Sequence, residues 1–175
     1  MKKEENMDKN YYNDIYDQHI NEVYRFVFLR TNSQEASQDI CSDVFFKFYN
    51  STKNKPAKYL KNPRAFIYKI ARNKVIDYYR TNKKNLSFDE LKEDSTMDEA
   101  LIDNSFEEKL HQEDLKQVIQ RGLQQIKPLY ADIIIYKFVE ELSNQEISNI
   151  LSKTESNVRV LIHRSLKALK DKIKF

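Results

Sequence analysis

Apolar positions recur at helical spacing along most of the chain. Ile15, Tyr16, Ile20, Val23, Tyr24 and Val27 form one stripe between Tyr12 and Leu29, the three-and-four alternation of a helix with one buried face. Asn32 and Glu35, three residues apart, read as a capping box. The helix they open turns Ile40, Val44, Phe45 and Phe48 inward, with Asp39 and Asp43 one turn apart on the other face. The stretch NSTKNKPAKYLKNP at residues 50–63 breaks the period and reads as a loop or a short broken helix. Pro63 stands at the start of a long helix running from Arg64 to about Thr81. Ile67, Ile70, Ala71, Val75 and Tyr78 line one side of it; Tyr68, Lys69, Arg72, Asn73, Ile76, Tyr79 and Arg80 line the other.

The period is lost over residues 83–106 and resumes after them. Leu110, Leu115, Val118, Ile119 and Leu123 make a further stripe. Pro128 opens a strongly apolar helix through Ile133, Ile134, Tyr136, Phe138 and Val139 to about Leu142. Ser143 and Glu146 match the S-x-x-E capping box of a short helix that turns Ile147, Ile150 and Leu151 inward. Ser152-Lys153-Thr154 is a tight connection, with Thr154 as N-cap of the last helix. There Val158, Leu161, Ile162, Ala168 and Leu169 share one side, with Leu166 at its edge. Ser156, Arg159, Val160, His163, Lys167 and Lys170 share the other. One glycine and three prolines in 175 residues exclude a hairpin-rich fold. The expectation is an all-α protein: a disordered tail over 1–10, a helical domain over 11–82, a flexible acidic linker over 83–106, and a second helical domain over 107–175.

Charge changes the picture from architecture to partner. The net charge of +3 conceals nine acids against one base over residues 87–108, so the rest of the chain carries +11. Residues 61–84 alone hold eight bases and one acid. Concentrated positive charge of this kind suits a polyanion. Other classes drop out. Cys41 is the single cysteine, so no internal disulfide forms, and with three scattered histidines it builds no metal cluster. The polar start MKKEENMDKN lacks the apolar core of a signal peptide, and no apolar run approaches 18 residues. A cytoplasmic protein is expected. No carboxylate cluster, nucleophile–base pair or phosphate-cradling glycine loop is present, so neither an enzyme activity, nor a cofactor, nor a small-molecule substrate is expected.

Two segments carry nucleic-acid chemistry. Ser143 to Lys170 has the layout of a helix-turn-helix: a short helix, a tight turn, and a second helix with a basic face, the geometry that enters a major groove. Arg159 can reach guanine edges, and Ser156 or Asn157 bases or phosphates. Arg164, Lys167 and His163 suit phosphate contacts, which position without specifying. The helix from Arg64 to Arg80 interleaves cations with aromatics, which suits single-stranded nucleic acid. Tyr68 and Tyr79 are its candidates for base stacking; Phe66 and Tyr78 are assigned to the core. A regulator that binds duplex DNA through Ser143 to Lys170 alone is the competing reading. An interaction protein that binds no nucleic acid fits poorly with two basic faces.

Taken together and in this order, the segments resemble the extracytoplasmic-function (ECF) group of bacterial RNA polymerase sigma factors, over about Tyr11 to Lys172. Asp39-Ile40 through Asp43-Val44-Phe45 is similar to the family's clamp-docking helix. The resemblance implies a core polymerase contact through Asp39, Ser42, Asp43 and Lys47. The segment Asn62-Pro63-Arg64-Ala65-Phe66-Ile67-Tyr68-Lys69-Ile70-Ala71-Arg72-Asn73 with Ile76-Asp77-Tyr78-Tyr79-Arg80 is similar to the helix that melts and reads the −10 element. That implies roles there for Lys61, Asn62, Arg64, Tyr68, Lys69, Arg72, Asn73, Tyr79 and Arg80. Glu141-Leu142-Ser143 to Lys170 is similar to the helix-turn-helix that reads the −35 element. That implies roles for Ser156, Asn157, Arg159, Val160, His163, Arg164 and Lys167. The resemblance further implies a loop near 51–62 that captures a flipped base and an acidic tether directed to the RNA exit path. It implies promoter DNA and the clamp and flap of core RNA polymerase as partners, and an anti-sigma factor, often membrane-bound, that clamps the two domains. Ser42 stands where the family often has Gln, and Ser152 where it often has Gly.

Overall fold

The computed structural model describes the backbone of residues 2–52, 60–86 and 106–173, and the side chains of 11–52, 60–82 and 116–173. The described backbone forms seven α-helices and no strand. They are α1 Lys2–Thr31, α2 Gln34–Thr52, α3 Pro63–Leu86, α4 Phe106–Gln125, α5 Pro128–Ile134, α6 Asn144–Leu151 and α7 Glu155–Lys170. Residues 2–10 continue α1 where the polar composition suggested a tail. Lys, Glu and Met are good helix formers, and extending an existing helix avoids a new nucleation step. Most of the expected linker, 87–105, and most of the expected base-capture loop, 53–59, lie outside the described residues.

The N-terminal half is a three-helix unit. Ile15, Val23, Phe26 and Val27 of α1 meet Ile40, Val44, Phe45 and Phe48 of α2 and Ile67, Ile70, Ala71 and Val75 of α3, all buried. Each large side chain so buried contributes about 1.5–3 kcal/mol of transfer free energy. The helix junction differs from the predicted capping box. Asn32 does not cap α2; it ends α1 in a left-handed conformation, φ 52°, donating its N–H to the Phe28 carbonyl at 2.8 Å. Ser33 caps instead, its Oγ accepting the Ala36 N–H at 3.2 Å. Asparagine tolerates positive φ better than most residues, so the left-handed corner falls to Asn32 and the cap to its neighbour.

The C-terminal half packs α4 to α7 around Leu123, Ala131, Ile133, Ile134, Leu142, Ile147, Ile150, Val158 and Leu161. Pro128 opens α5 as expected. The helix then widens into a π segment, Ile135–Val139, in which the Glu140 N–H donates to the Ile135 carbonyl at 2.9 Å. The widening turns Phe138 and Val139 toward solvent while Ile135 and Tyr136 stay buried. The two halves are not beads on a string. Phe26 of α1, Tyr68 of α3 and Tyr136 pack ring against ring, with centroids 5.0–5.8 Å apart, so one core runs through both.

Candidate nucleic-acid interface

Helix α6 begins at a complete capping box. The Ser143 Oγ accepts the Glu146 N–H at 3.2 Å, and the Glu146 carboxylate accepts the Ser143 N–H at 2.8 Å. Partial burial pushes the Glu146 carboxyl up, but the Ser143 hydrogen bonds and the nearby Arg64 guanidinium outweigh it and hold it below its ordinary value. α6 ends at Ser152 in the left-handed region, φ 52° and ψ 47°, with the Lys153 N–H closing onto the Ser148 carbonyl at 3.0 Å. Thr154 caps α7, its Oγ1 accepting the Asn157 N–H at 3.3 Å. α7 buries Val158, Leu161 and Ser165. Ser156, Asn157, Arg159, Val160, His163, Arg164 and Lys167 are all exposed on its other side, as the helical period required. Leu166, placed at the edge of the apolar side, is exposed as well.

On α3 the outcome is different. Asn62 caps the helix, its Oδ1 accepting the Ala65 N–H at 2.8 Å. Lys61, Lys69, Asn73 and Arg80 are exposed; Arg80 pairs with Asp77 at 3.2 Å, and Lys69 Nζ lies 3.4 Å from Ser152 Oγ. Tyr68, expected to stack on bases, is fully buried. A helical wheel assigns every residue off the main apolar stripe to solvent, but here a second unit covers that face of α3 too. Tyr79, the other stacking candidate, is half-buried: its hydroxyl donates to the Arg30 carbonyl, and the Arg30 guanidinium lies 5.7 Å from its ring centre. Phe66, assigned to the core, is partly buried and packs on Phe48.

Arginines of the N-terminal half meet carboxylates of the C-terminal half. Arg25 Nε and Nη2 donate to the two carboxylate oxygens of Glu140 at 2.8 and 2.7 Å, and this pairing holds the Arg25 guanidinium above its ordinary pKa. Asp132 sits between Arg30 and Arg72, with Nε–carboxylate distances of 2.8 and 3.0 Å. Burial pushes the Asp132 carboxyl up against the pull of both guanidiniums. Arg64 donates to Glu22 at 3.0 and 3.1 Å and to the Glu140 carbonyl at 2.9 Å. No helical spacing links Arg25 to Glu140 across the two halves, and Arg25, Arg30, Asp132 and Glu140 carried no sequence signal that could single them out.

The expected polymerase-facing residues Asp39, Ser42, Asp43 and Lys47 are exposed along α2. Asp43 pairs with Lys74 of α3 at 2.5 Å. The aromatic side chains of Tyr16, Phe46 and Tyr49 are also exposed beside them. Among the described residues no group of three His, Cys, Asp or Glu side chains is placed to hold a metal. No helix there is long and apolar enough to cross a membrane.

A helix-turn-helix joined to a second helical unit with a basic helix defines a two-part DNA-binding protein. Comparison with known proteins narrows the class. Residues 15–85 match the family model for sigma-70 region 2, and residues 116–169 that for sigma-70 region 4. The chain is 24% identical over 157 residues to the ECF RNA polymerase sigma factor SigM of Bacillus subtilis, covering 90% of this chain and 91% of that one. It is 27% identical to the RNA polymerase sigma factor YlaC of the same organism, covering 90% and 88%. The fold is that of sigma factor RpoE solved with the anti-sigma factor NepR from Bartonella quintana, at a TM-score of 0.66 and 13% identity over 89% of this chain and 92% of that one. CnrH, solved with the cytosolic domain of CnrY, gives 0.62 at 14% identity over 93% and 87%. The chain belongs to the sigma-70 family, has ECF sigma factors among its relatives, and is an alternative sigma factor that directs transcription initiation.

Proposed function

We propose that the N-terminal half, residues 11–82, docks on the clamp of core RNA polymerase through Asp39, Ser42, Asp43 and Lys47 and takes the −10 strand on the basic face of α3. The C-terminal half, residues 107–175, reads the −35 element with α7. The observation that carries this reading is α7 itself. Thr154 caps it and Ser143 caps α6 before it, and every α7 residue expected to touch DNA stands on its exposed side. Arg159 supplies a fork that matches the acceptor pair of guanine; Arg164 and Lys167 supply phosphate contacts. The chain works in the cytoplasm without catalysing a reaction. Its regulator is an anti-sigma factor, as the solved complexes of RpoE with NepR and of CnrH with CnrY support.

Run-off transcription with core polymerase tests the whole reading. The chain should make core enzyme initiate at a cognate promoter, and failure at every promoter recovered with the protein from chromatin refutes it. Arg159→Ala should cost about 1–3 kcal/mol of upstream-element recognition with core binding intact. Asp39→Ala combined with Asp43→Ala should weaken association with core enzyme; undiminished pull-down would remove α2 from the contact.

A further inference from the structure

Four arginines converge where the two halves meet: Arg25 and Arg30 of α1, Arg64 and Arg72 of α3. Each is met by an oxygen of the C-terminal half, and Arg64 is also paired through Nε and Nη2 with Glu22 of α1 in its own half. Glu140, only 3% exposed, takes both donors of Arg25 on its carboxylate and one of Arg64 on its backbone carbonyl. Asp132, 2% exposed, forms an ion pair with Arg30 at 2.8 Å and accepts one hydrogen bond from Arg72 Nε at 3.0 Å. Glu146 adds a longer contact to Arg64 at 3.8 Å. Arg64 and Arg72 are residues of the strand-reading face, and Tyr136 covers its Tyr68. The recognition face of α7 stays open in the same arrangement.

A guanidinium fork recognises a carboxylate and a phosphate through the same in-plane pair of donors. The Glu140 carboxylate seated on the Arg25 fork therefore excludes a phosphate from those two donors, and the Asp132 carboxylate occupies the place beside Arg30 and Arg72 that a phosphate would need. Two of these carboxylates are nearly inaccessible, so a strand cannot slide in beside them; the halves must part first.

We infer that Asp132 and Glu140 are internal stand-ins for phosphodiester groups, and that Arg25 and Arg30 of α1 belong with Arg64 and Arg72 to the single-strand binding site. This rests on the reading of α3 as the strand-binding helix and extends it to α1. Closure of the halves and capture of a strand are then mutually exclusive: the free factor holds its melting surface shut while its −35 surface remains available. Parting the halves exposes both the strand site and the carboxylates.

The test uses the full chain, labelled on exposed positions of α2 and α7 for energy transfer, with a fluorescent single-stranded DNA oligonucleotide read by anisotropy. Adding excess oligonucleotide to the unsubstituted chain should lower energy transfer as it binds; binding with transfer unchanged overturns the mutual exclusion. Asp132→Asn with Glu140→Gln should lower transfer without added DNA and raise oligonucleotide affinity about tenfold or more, as expected when a minor open state becomes the main one. An open chain with unchanged affinity, or a chain that stays closed, overturns the stand-in role. Circular dichroism identifies loss of folding in that variant, in which case the oligonucleotide experiment on the unsubstituted chain decides.

In the opened background, Arg25→Gln and Arg30→Gln should each weaken binding and make the slope of log affinity against log salt shallower by about 0.7, the increment for one single-strand phosphate contact. Slopes that do not move remove α1 from the site. Arg64→Gln and Arg72→Gln in the same background separate the two levels. If these weaken strand binding and the α1 variants do not, only the extension fails. If none of the four does, the strand-binding reading of α3 fails with it.

Discussion

Replacing Ser152 by glycine should stabilise the protein, and the amount follows from one backbone angle. Ser152 closes α6 at φ 52° and ψ 47°, a left-handed conformation that costs a residue with a Cβ about 1–2 kcal/mol. Glycine removes that cost but loses more chain freedom on folding, about 0.5–1 kcal/mol. The hydroxyl that would be lost touches only the exposed Lys69 ammonium at 3.4 Å, a contact too long and too solvated to weigh against the backbone term. The net gain is about 0.5–1 kcal/mol. For a chain of this size, one kcal/mol moves the melting temperature by about 2–4 °C, so Ser152→Gly should melt roughly 1–4 °C higher by calorimetry. Ser152→Ala is the control, because it removes the same hydroxyl and keeps the strain. If the glycine and alanine variants melt at the same temperature, the left-handed turn at Ser152 stores no strain.

Cys41 is buried and its thiol is pushed up to about 12 by desolvation. It should resist maleimide at neutral pH until denaturant is added, since the thiolate is the reactive form; rapid labelling of the folded chain would contradict its burial. Gly122, the single glycine, lies where an added Cβ would stand 2.9 Å from Leu169 Cδ1 and 3.0 Å from Ile173 Cγ1. Gly122→Val should therefore force α4 away from α7 and cost about 1–3 kcal/mol, visible as a lower urea midpoint; an unchanged midpoint would show that the contact yields freely. The Glu146 carboxyl is held below its ordinary value, so its contribution is present above the unfolded pKa of about 4.3 and is lost as pH falls through the folded value. Melting temperature should thus fall less steeply with acid in Glu146→Gln than in the unsubstituted chain; parallel pH profiles would exclude it. Glu141 also holds a positive φ, 53°. Glu141→Gly should raise the melting temperature by an amount similar to Ser152→Gly, and a lower melting temperature would show that its side chain offsets the strain.

Much of the candidate site is legible along the chain because its determinants are local. The Ser143–Glu146 box, the Thr154 cap and the exposed side of α7 each depend on residues within one or two turns, and a helical period carries them. The exceptions are instructive where two local answers compete. Asn32 and Ser33 both suit a cap, and the left-handed corner between α1 and α2 decided which one serves. The π segment at Ile135–Val139 leaves no mark in the apolar pattern, yet it brings Glu140 to Arg25.

By itself, then, the sequence determined most of the helices, the caps of α6 and α7, the uneven distribution of charge and the order of two DNA-facing segments, because each follows from neighbours in the chain. Only the tertiary structure decided that Tyr68 is core, that Tyr79 is half-covered beneath Arg30, and that Arg25, Arg30, Arg64 and Arg72 meet Asp132 and Glu140. Those facts depend on which face of one half docks on the other. No periodicity encodes that choice, because the polar side of α3 offers rings and cations that solvent, a nucleic-acid strand or a second helical unit could cover equally well.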